Sequence, residues 1–264
     1  MLRFSANLSM LYPDASFLER FWYAHQSGFD AVEFLFPYAA GLEAIGQAAR
    51  ANELSIVLFN LPAGDWEHGE RGIALLPDRR QEFREGVGEA IRYAQALAVP
   101  RLNCLAGKRP DDLPRDDAWS VLVENVRYAA DTLGRAGLTL MVEPINPFDI
   151  PGFFINTTRQ VVELLNEVDR PNVMIQYDIY HMQRTQGEII NTFNVLKPRI
   201  GHVQIADNPG RHQPGTGELN YGQIFRGLEE AGYSGCIGLE YIPLGNTEES
   251  LEWWRQYRNN QAID

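Results

Sequence analysis

VMIQYD, residues 173–178, is a short apolar run that finishes on a carboxylate, and LTLMVE (138–143) and CIGLE (236–240) repeat the arrangement with Glu143 and Glu240. Between the last two, HVQI (202–205) carries Gln204. Runs that are apolar throughout, rather than alternating, are expected of parallel strands covered on both faces. Outward from these, similar runs occur at Arg3–Leu8, Ala31–Phe34, Ser55–Asn60 and Arg101–Leu105. With Thr139–Glu143, Val173–Asp178, His202–Ile205 and Cys236–Glu240 they make eight strand candidates. Helical patterns separate them. Phe83, Val87, Ile91, Ala94 and Leu97 share one face of the third helix, and Trp119, Leu122, Val126, Ala129 and Leu133 do so in the fourth. Asp116 is the expected N-cap of that fourth helix, and Gly134 and Gly137 are expected to break it. Parallel strands need such crossovers, and eight βα units in 264 residues predict a (β/α)8 TIM barrel. No linker or composition shift divides the chain, so one domain is expected over 1–264, with 259–264 frayed.

Composition narrows the functional classes. Hydrophobic residues make up 45% and charged residues 22%, as in ordinary globular proteins. Acidic side chains outnumber basic ones, 35 to 23, for a formal net charge of -12, which opposes nucleic-acid binding. No stretch approaches the roughly 18 uninterrupted apolar residues of a membrane span. MLRFSANLS at the start lacks the apolar run of a signal peptide, so a cytoplasmic location is expected. Cys104 and Cys236 lie in apolar surroundings and read as packed free thiols.

The longer inserts follow strands, at 61–77, 106–116, 146–157 and 208–220, and all βα loops of a parallel barrel emerge at one rim. Glu143, Asp178, Gln204 and Glu240 end or nearly end four consecutive strands at that rim. An apolar strand has no packing reason to finish on a carboxylate, whose burial unpaired costs several kcal/mol. Three converging carboxylates repel, and either raised pKa values or a divalent cation must relieve them. Glu143, Asp178, Glu240 and the amide oxygen of Gln204 form an all-oxygen set that favours magnesium or manganese over zinc. His181, three residues after Asp178, is a candidate substrate contact, and Glu33 and Asn60 add polar groups from the second and third strands. His202 and His25 read as packing or surface residues, and His68 and His212 as rim-loop residues with no identifiable partner.

RFSANLSML, GFDAVEFLFPY, NLPAGDWEHGERGIA, EPINPFDIPGF, IQYDIYHMQR, HVQIADNPGRHQPGTGELNY and GLEY, spread over nearly the whole chain, resemble the sugar isomerase/epimerase barrels of the xylose-isomerase-like superfamily. The resemblance implies that Glu143 and Glu240 are the general acid/base pair and, with Asp178 and Gln204, ligands of a divalent ion. Many relatives have histidine at the position of Gln204. It further implies an intramolecular oxidoreductase that moves a carbonyl by one carbon through a cis-enediol, as in converting hydroxypyruvate to tartronate semialdehyde. A substrate of that kind carries a carboxylate, for which Lys108, Arg71 and Arg211 are candidate clamps, while Asp149 is a candidate substrate contact. The GTG of Gly215–Gly217 opens no helix and reads as a rim-loop turn. Barrels of this type often pair, and Trp253-Trp254 is either a homo-oligomer interface or helix packing.

The same machinery would serve a four-carbon 2-oxo-tetronate or, without a carboxylate clamp, a ketose 3-epimerisation. An endonuclease-IV-like repair protein would need a histidine-rich multi-zinc site, against which five scattered histidines and the acidic charge count. A non-catalytic sugar-acid binder would not need a facing pair of glutamates.

Overall fold

The computed structural model describes residues 2–261. Eight parallel strands close into a barrel in chain order: β1 (Arg3–Asn7), β2 (Ala31–Glu33), β3 (Ser55–Asn60), β4 (Arg101–Cys104), β5 (Thr139–Val142), β6 (Val173–Asp178), β7 (Ile200–Ile205) and β8 (Cys236–Leu239). Each expected strand is present, with its ends moved by at most a turn's width. The helices between them are α1 (Glu19–Ser27), α2 (Leu42–Ala51), α3 (Arg80–Ala96), α4 (Arg115–Arg135), α5 (Thr158–Val168), α6 (Ile179–Thr185), α7 (Ile189–Leu196), α8 (Tyr221–Glu230), α9 (Thr247–Ser250) and α10 (Glu252–Gln261).

Several local expectations change. Asp116 is not the cap of α4: Pro114 holds that position without a side-chain bond, and Asp116 sits in the first turn, where a carboxylate suits the helix dipole. Gly134 does not break α4, which runs through it to Arg135; the left-handed turn comes at Gly137 (φ 72°). The sixth crossover is split, because Gly187 and Glu188 both take left-handed φ values between α6 and α7. Of the tail expected to fray over 259–264, the part up to Gln261 continues α10, and 262–264 lie outside the described residues. Trp253 packs edge-on to Phe4 and stacks with Phe225, and Trp254 lies flat on Phe29 at 4.0 Å, so both indoles serve packing within the chain. Cys104 and Cys236 are free and buried. No described helix is long and apolar enough to cross a membrane.

Strand alternation explains how apolar strands carry a polar site. Side chains two residues apart share a face, and along the strands one set (Leu140, Val142, Ile175, Tyr177, Val203, Ile205, Ile237, Leu239) is buried in the main apolar core. The other set rises in tiers. Ala31, Met141 and Cys236 belong to a small separate apolar cluster, with Met174 against it. Two residues further on come Glu33, Gln176 and Gly238, level with Ser5, His202 and Gln204; Ser5, Glu33, Gln176, His202 and Gln204 are all buried. Two further again, Asp178 and Glu240 stand at the carboxyl ends, and Glu143, two residues beyond Met141, follows its strand beside them.

The middle tier is held by hydrogen bonds centred on Glu33. Its carboxylate accepts from Ser5 Oγ (2.9 Å), Asn7 Nδ2 (3.1 Å) and Gln204 Nε2 (2.7 Å) and lies 2.8 Å from His202 Nε2. Burial alone would push Glu33 up; attraction to His202 and these hydrogen bonds outweigh it and hold the carboxyl below its usual value. Gly238 makes room for this group, since a Cβ there would meet the Glu33 carboxylate at 2.2–2.5 Å. Overpacking of a well-filled interior costs about 1–3 kcal/mol. Gly238→Ala is therefore expected to lower stability by that order while leaving far-ultraviolet dichroism unchanged. Urea unfolding checks this, and an unmoved midpoint would show that Glu33 yields freely.

Candidate active site

Glu143 follows β5 directly, Asp178 closes β6 and Glu240 follows β8, so the three carboxylates come to one rim from neighbouring parts of the barrel wall. All three are buried, with relative exposures of 4%, 0% and 4%, which leaves them little water. Burial, then the charges of Glu240 and Asp178, push Glu143 well above the usual carboxylate range, against the pull of Arg211. Burial likewise drives Glu240 up to about 8 despite Arg211 beside it, with Asp178 and Glu33 adding to the rise. Asp178 is also raised, chiefly by burial. The three carboxyls form one cluster through shared neighbours: His181 lies against Glu143 and Asp178, and Arg211 against Asp178 and Glu240.

His181 stands on the first turns of α6, fully enclosed, with Nε2 3.6 Å from Asp178 Oδ2 and 3.9 Å from Glu143 Oε1. Arg211 reaches in from the loop after β7: Nη2 donates to Glu240 Oε2 at 3.0 Å and lies 3.7 Å from Asp178 Oδ2. Its guanidinium also lies over the Tyr180 ring at 5.3 Å. Burial and Arg211 hold the His181 ring well below the usual imidazole value.

Among the described residues, Glu143, Asp178 and His181 offer one ligand atom each within 4.8 Å of one another and could hold a metal ion. Asp178 Oδ2 is buried without a hydrogen-bond partner, as an oxygen awaiting a cation would be. One guanidinium against three carboxylates also leaves a deficit of positive charge that a divalent ion would fill. The residues fit such an ion.

The other expected residues are placed as follows. Gln204 pairs in register with Asp178, its Nε2 turned to Glu33 and its Oε1 accepting from Gln176 Nε2 at 2.6 Å. Glu33 can only accept, so the amide orientation is fixed, and one lone pair of Oε1 is already committed. Asn60 closes β3, buried, and its carbonyl accepts from Tyr38 Oη at 2.7 Å. Asp149 accepts from Arg184 and, at 3.1 Å, from Asn146 Nδ2. Arg71 and Lys108 lie together, away from the carboxylates, in a rim groove of about 470 Å³ that they share with His68, Glu70, Arg109 and Asp111. Arg71 is folded over Trp66 at 4.1 Å and donates to the carbonyls of Trp66 and Glu70. Of the three clamp candidates, Arg211 alone touches the carboxylates. His68 pairs with Asp65, and His212 Nδ1 lies 2.8 Å from the carbonyl oxygen of Ile242.

Three functional residues escape sequence reasoning. Asn103 Nδ2 donates to Glu143 Oε2 at 3.1 Å from the adjacent strand. Asn146 lies 2.6 Å from His181 Nδ1. Asp207, wholly buried, accepts from the backbone N–H groups of Asn208, Gly215, Gly217 and Leu219 and so shapes the loop that presents Arg211. The available signal was Asn103 inside the apolar LNCL, and Asn146 and Asp207 as the first polar residues after MVEPI and VQIA. The GTG turn is a rim-loop turn as expected, its two glycine N–H groups bound to Asp207.

The fold and the rim cluster define an isomerase barrel: the xylose isomerase-like TIM barrel family is matched over residues 21–257, and the chain belongs to that family. The chain is 52% identical to hydroxypyruvate isomerase of Escherichia coli (strain K12) over 98% of its length and 100% of that protein's. It is 41% identical to 2-oxo-tetronate isomerase of Cupriavidus necator, over 97% of this chain and 99% of the other. Among solved structures, one from Brucella melitensis described as an AP endonuclease, family 2, superposes with a TM-score of 0.94 at 44% identity, over 97% of this chain and 99% of that one. With isomerases alike over their whole length, the chain is an isomerase enzyme.

The raised Glu240 has a consequence for stability. A carboxyl whose folded pKa exceeds its unfolded value, here about 8 against 4.5, stabilises fully below the lower value and loses that contribution as pH rises through the upper one. Glu240→Gln has no such proton to lose. In metal-free protein the melting temperature of Glu240→Gln, relative to the parent, is expected to climb between those two pH values. A difference independent of pH would contradict the raised carboxyl.

Proposed function

We propose that the chain interconverts hydroxypyruvate and 2-hydroxy-3-oxopropanoate (tartronate semialdehyde) through a cis-enediol. The observation that carries this reading is the cluster of two buried glutamates, Glu143 and Glu240, whose carboxyl pKa values are pushed up, with the Arg211 guanidinium bonded to Glu240. The chemistry needs a base that takes a proton from C3 and an acid that returns one to C2, while the hydroxyl proton passes from the oxygen on C3 to that on C2. Two carboxyls flanking a flat intermediate, both with pKa values raised by burial, would serve as that base and that acid. Arg211 would draw in the substrate's carboxylate, and the N–H groups around the cluster would orient it. Asn103 keeps Glu143 aimed by its hydrogen bond.

Glu143, Asp178, Gln204 and Glu240 would hold a divalent cation, Mg2+ or Mn2+, through oxygen donors, with the uncommitted lone pair of Gln204 Oε1 as the amide's share. Such an ion, when bound, would stabilise negative charge on the two oxygens that exchange the carbonyl. The enzyme would act in the cytoplasm on a small oxo acid, not on nucleic acid. The net charge of -12 supports this, as does a carboxylate-rich cluster that the described structure furnishes with a single histidine. The 2-oxo-tetronate isomerase relatives support a second reading, in which the same residues act on a four-carbon acid.

Proton NMR in deuterium oxide, run with hydroxypyruvate, 2-oxo-tetronate and free ketoses in parallel, tests both. Deuterium entering the carbon beside the carbonyl of hydroxypyruvate is expected; exchange confined to free ketoses would sink the reading. Glu143→Gln and Glu240→Gln should each fold normally and lose at least about a hundredfold in turnover, the usual scale for a general acid or base. Near-normal turnover in either would remove the two-carboxyl mechanism. Exhaustive chelation should abolish most activity and magnesium or manganese restore it, whereas full activity after verified metal removal would exclude the ion's role.

A further inference from the structure

The amide of Asn146 can be oriented without ambiguity. Asn146 is wholly buried, and its Oδ1 accepts from two backbone N–H groups, Phe148 at 3.0 Å and Asp149 at 2.9 Å. Its Nδ2 faces Asp149 Oδ2 at 3.1 Å and His181 Nδ1 at 2.6 Å. Turning the amide over would set an NH2 group against two N–H donors and a carbonyl oxygen against a carboxylate. Nδ2 therefore donates to His181, and Nδ1 of that ring must offer a lone pair. An imidazolium, or a neutral ring with its proton on Nδ1, would place two donors face to face at 2.6 Å.

A ring with a bare Nδ1 carries its one proton on Nε2. That nitrogen points into the carboxylate cluster, 3.6 Å from Asp178 Oδ2 and 3.9 Å from Glu143 Oε1, too far for a hydrogen bond to either. Arg211 Nη2 lies 3.5 Å away and would call for a lone pair on Nε2, but this is the longer contact, and Nη2 is already bound to Glu240 at 3.0 Å. Nε2–H is thus a preformed donor with its protein partners out of reach. The remaining charged group near the ring, Arg184, is held by Asp149 and Tyr180.

We propose that Asn146 is a positioning residue that locks His181 as the Nε2–H tautomer, making the ring a hydrogen-bond donor to a reacting substrate oxygen and removing it from the ligands available to a cation. The donor role rests on the isomerase reaction proposed above; the tautomer does not. A neutral imidazole that donates in a dry site stabilises developing negative charge without bringing a full charge of its own. A bare Nδ1 engaged by an amide and a protonated Nε2 leave no ring nitrogen for a metal, so the cation would be held by oxygens alone.

Long-range proton–nitrogen NMR on histidine-labelled enzyme, with His181→Gln to assign the signal, reads the tautomer directly. The expected spectrum has an unprotonated Nδ1 and a protonated Nε2, unchanged when Mg2+ is added to saturation. A proton on Nδ1, or loss of the Nε2 proton on adding Mg2+, would overturn the proposal whatever the enzyme's activity. Asn146→Asp presents an acceptor to Nδ1 and should move the proton there. With dichroism showing the variant folded, kcat is then expected to fall about a hundredfold, the scale for losing one preorganised donor. A swapped tautomer with unchanged kcat would overturn the donor role. If the parent enzyme shows the expected tautomer but exchanges no substrate proton, the reaction is wrong and the lock stands.

Discussion

Glu143, Asp178 and Glu240 repel one another in a space with almost no water, and the rest of the site answers that repulsion. At an exposed strand end the same three groups would be ionised and weakly coupled, because water screens them. Enclosure at the barrel mouth makes Glu143 feel the other two and pushes all three carboxyls up. It also makes the cluster dependent on positive charge, which the described chain supplies through the Arg211 guanidinium.

Beneath the cluster lies a layer that balances itself. Glu33 is as deeply buried as Asp178, yet its pKa moves the opposite way, because Ser5, Asn7, His202 and Gln204 all turn toward it. The two buried carboxyls of one barrel thus differ in how they are satisfied: Glu33 is a floor, and Asp178, with Oδ2 unpartnered, belongs to the candidate site. The floor fixes the site from below, since Glu33 sets which end of the Gln204 amide turns away from it. The fixed amide in turn directs its oxygen to Gln176 Nε2.

Strand order and the rim cluster were legible because both rest on short-range pattern: an apolar run of strand length, broken on its last residue by a carboxylate. His202 was not legible as a functional partner. Its only local feature is a place at the start of an apolar run, and its meaning comes from Glu33 on the far side of the barrel, a pairing that no spacing reveals. Asn146 and Asp207 were hidden for a different reason. Each sits in a polar loop full of similar residues, and what distinguishes it is burial, which depends on how the loop folds back. Arg71, Lys108 and Arg211 were indistinguishable as loop cations. Geometry separates them, because Trp66 captures the Arg71 guanidinium while the Arg211 guanidinium reaches Glu240.

Arg211 illustrates why a rigid barrel still relies on a loop. Strand ends converge the carboxylates, and the cation that meets two of them, Glu240 and Asp178, comes from a loop outside the wall. The Arg211 backbone is held in the left-handed region at φ 57°, its N–H bound to the Asp207 carbonyl and its own carbonyl to Ile242 N–H just beyond Glu240. Asp207 therefore ties the loop after β7 to itself, and Ile242 ties it to the segment that follows β8. A lysine could supply the charge but not the planar fork that bonds Glu240, approaches Asp178 and lies over Tyr180. The electrostatic balance of the strand-end carboxyls is thus set by the conformation of a loop whose own anchor is another buried carboxylate, Asp207, and the order of the rim is only as good as that loop.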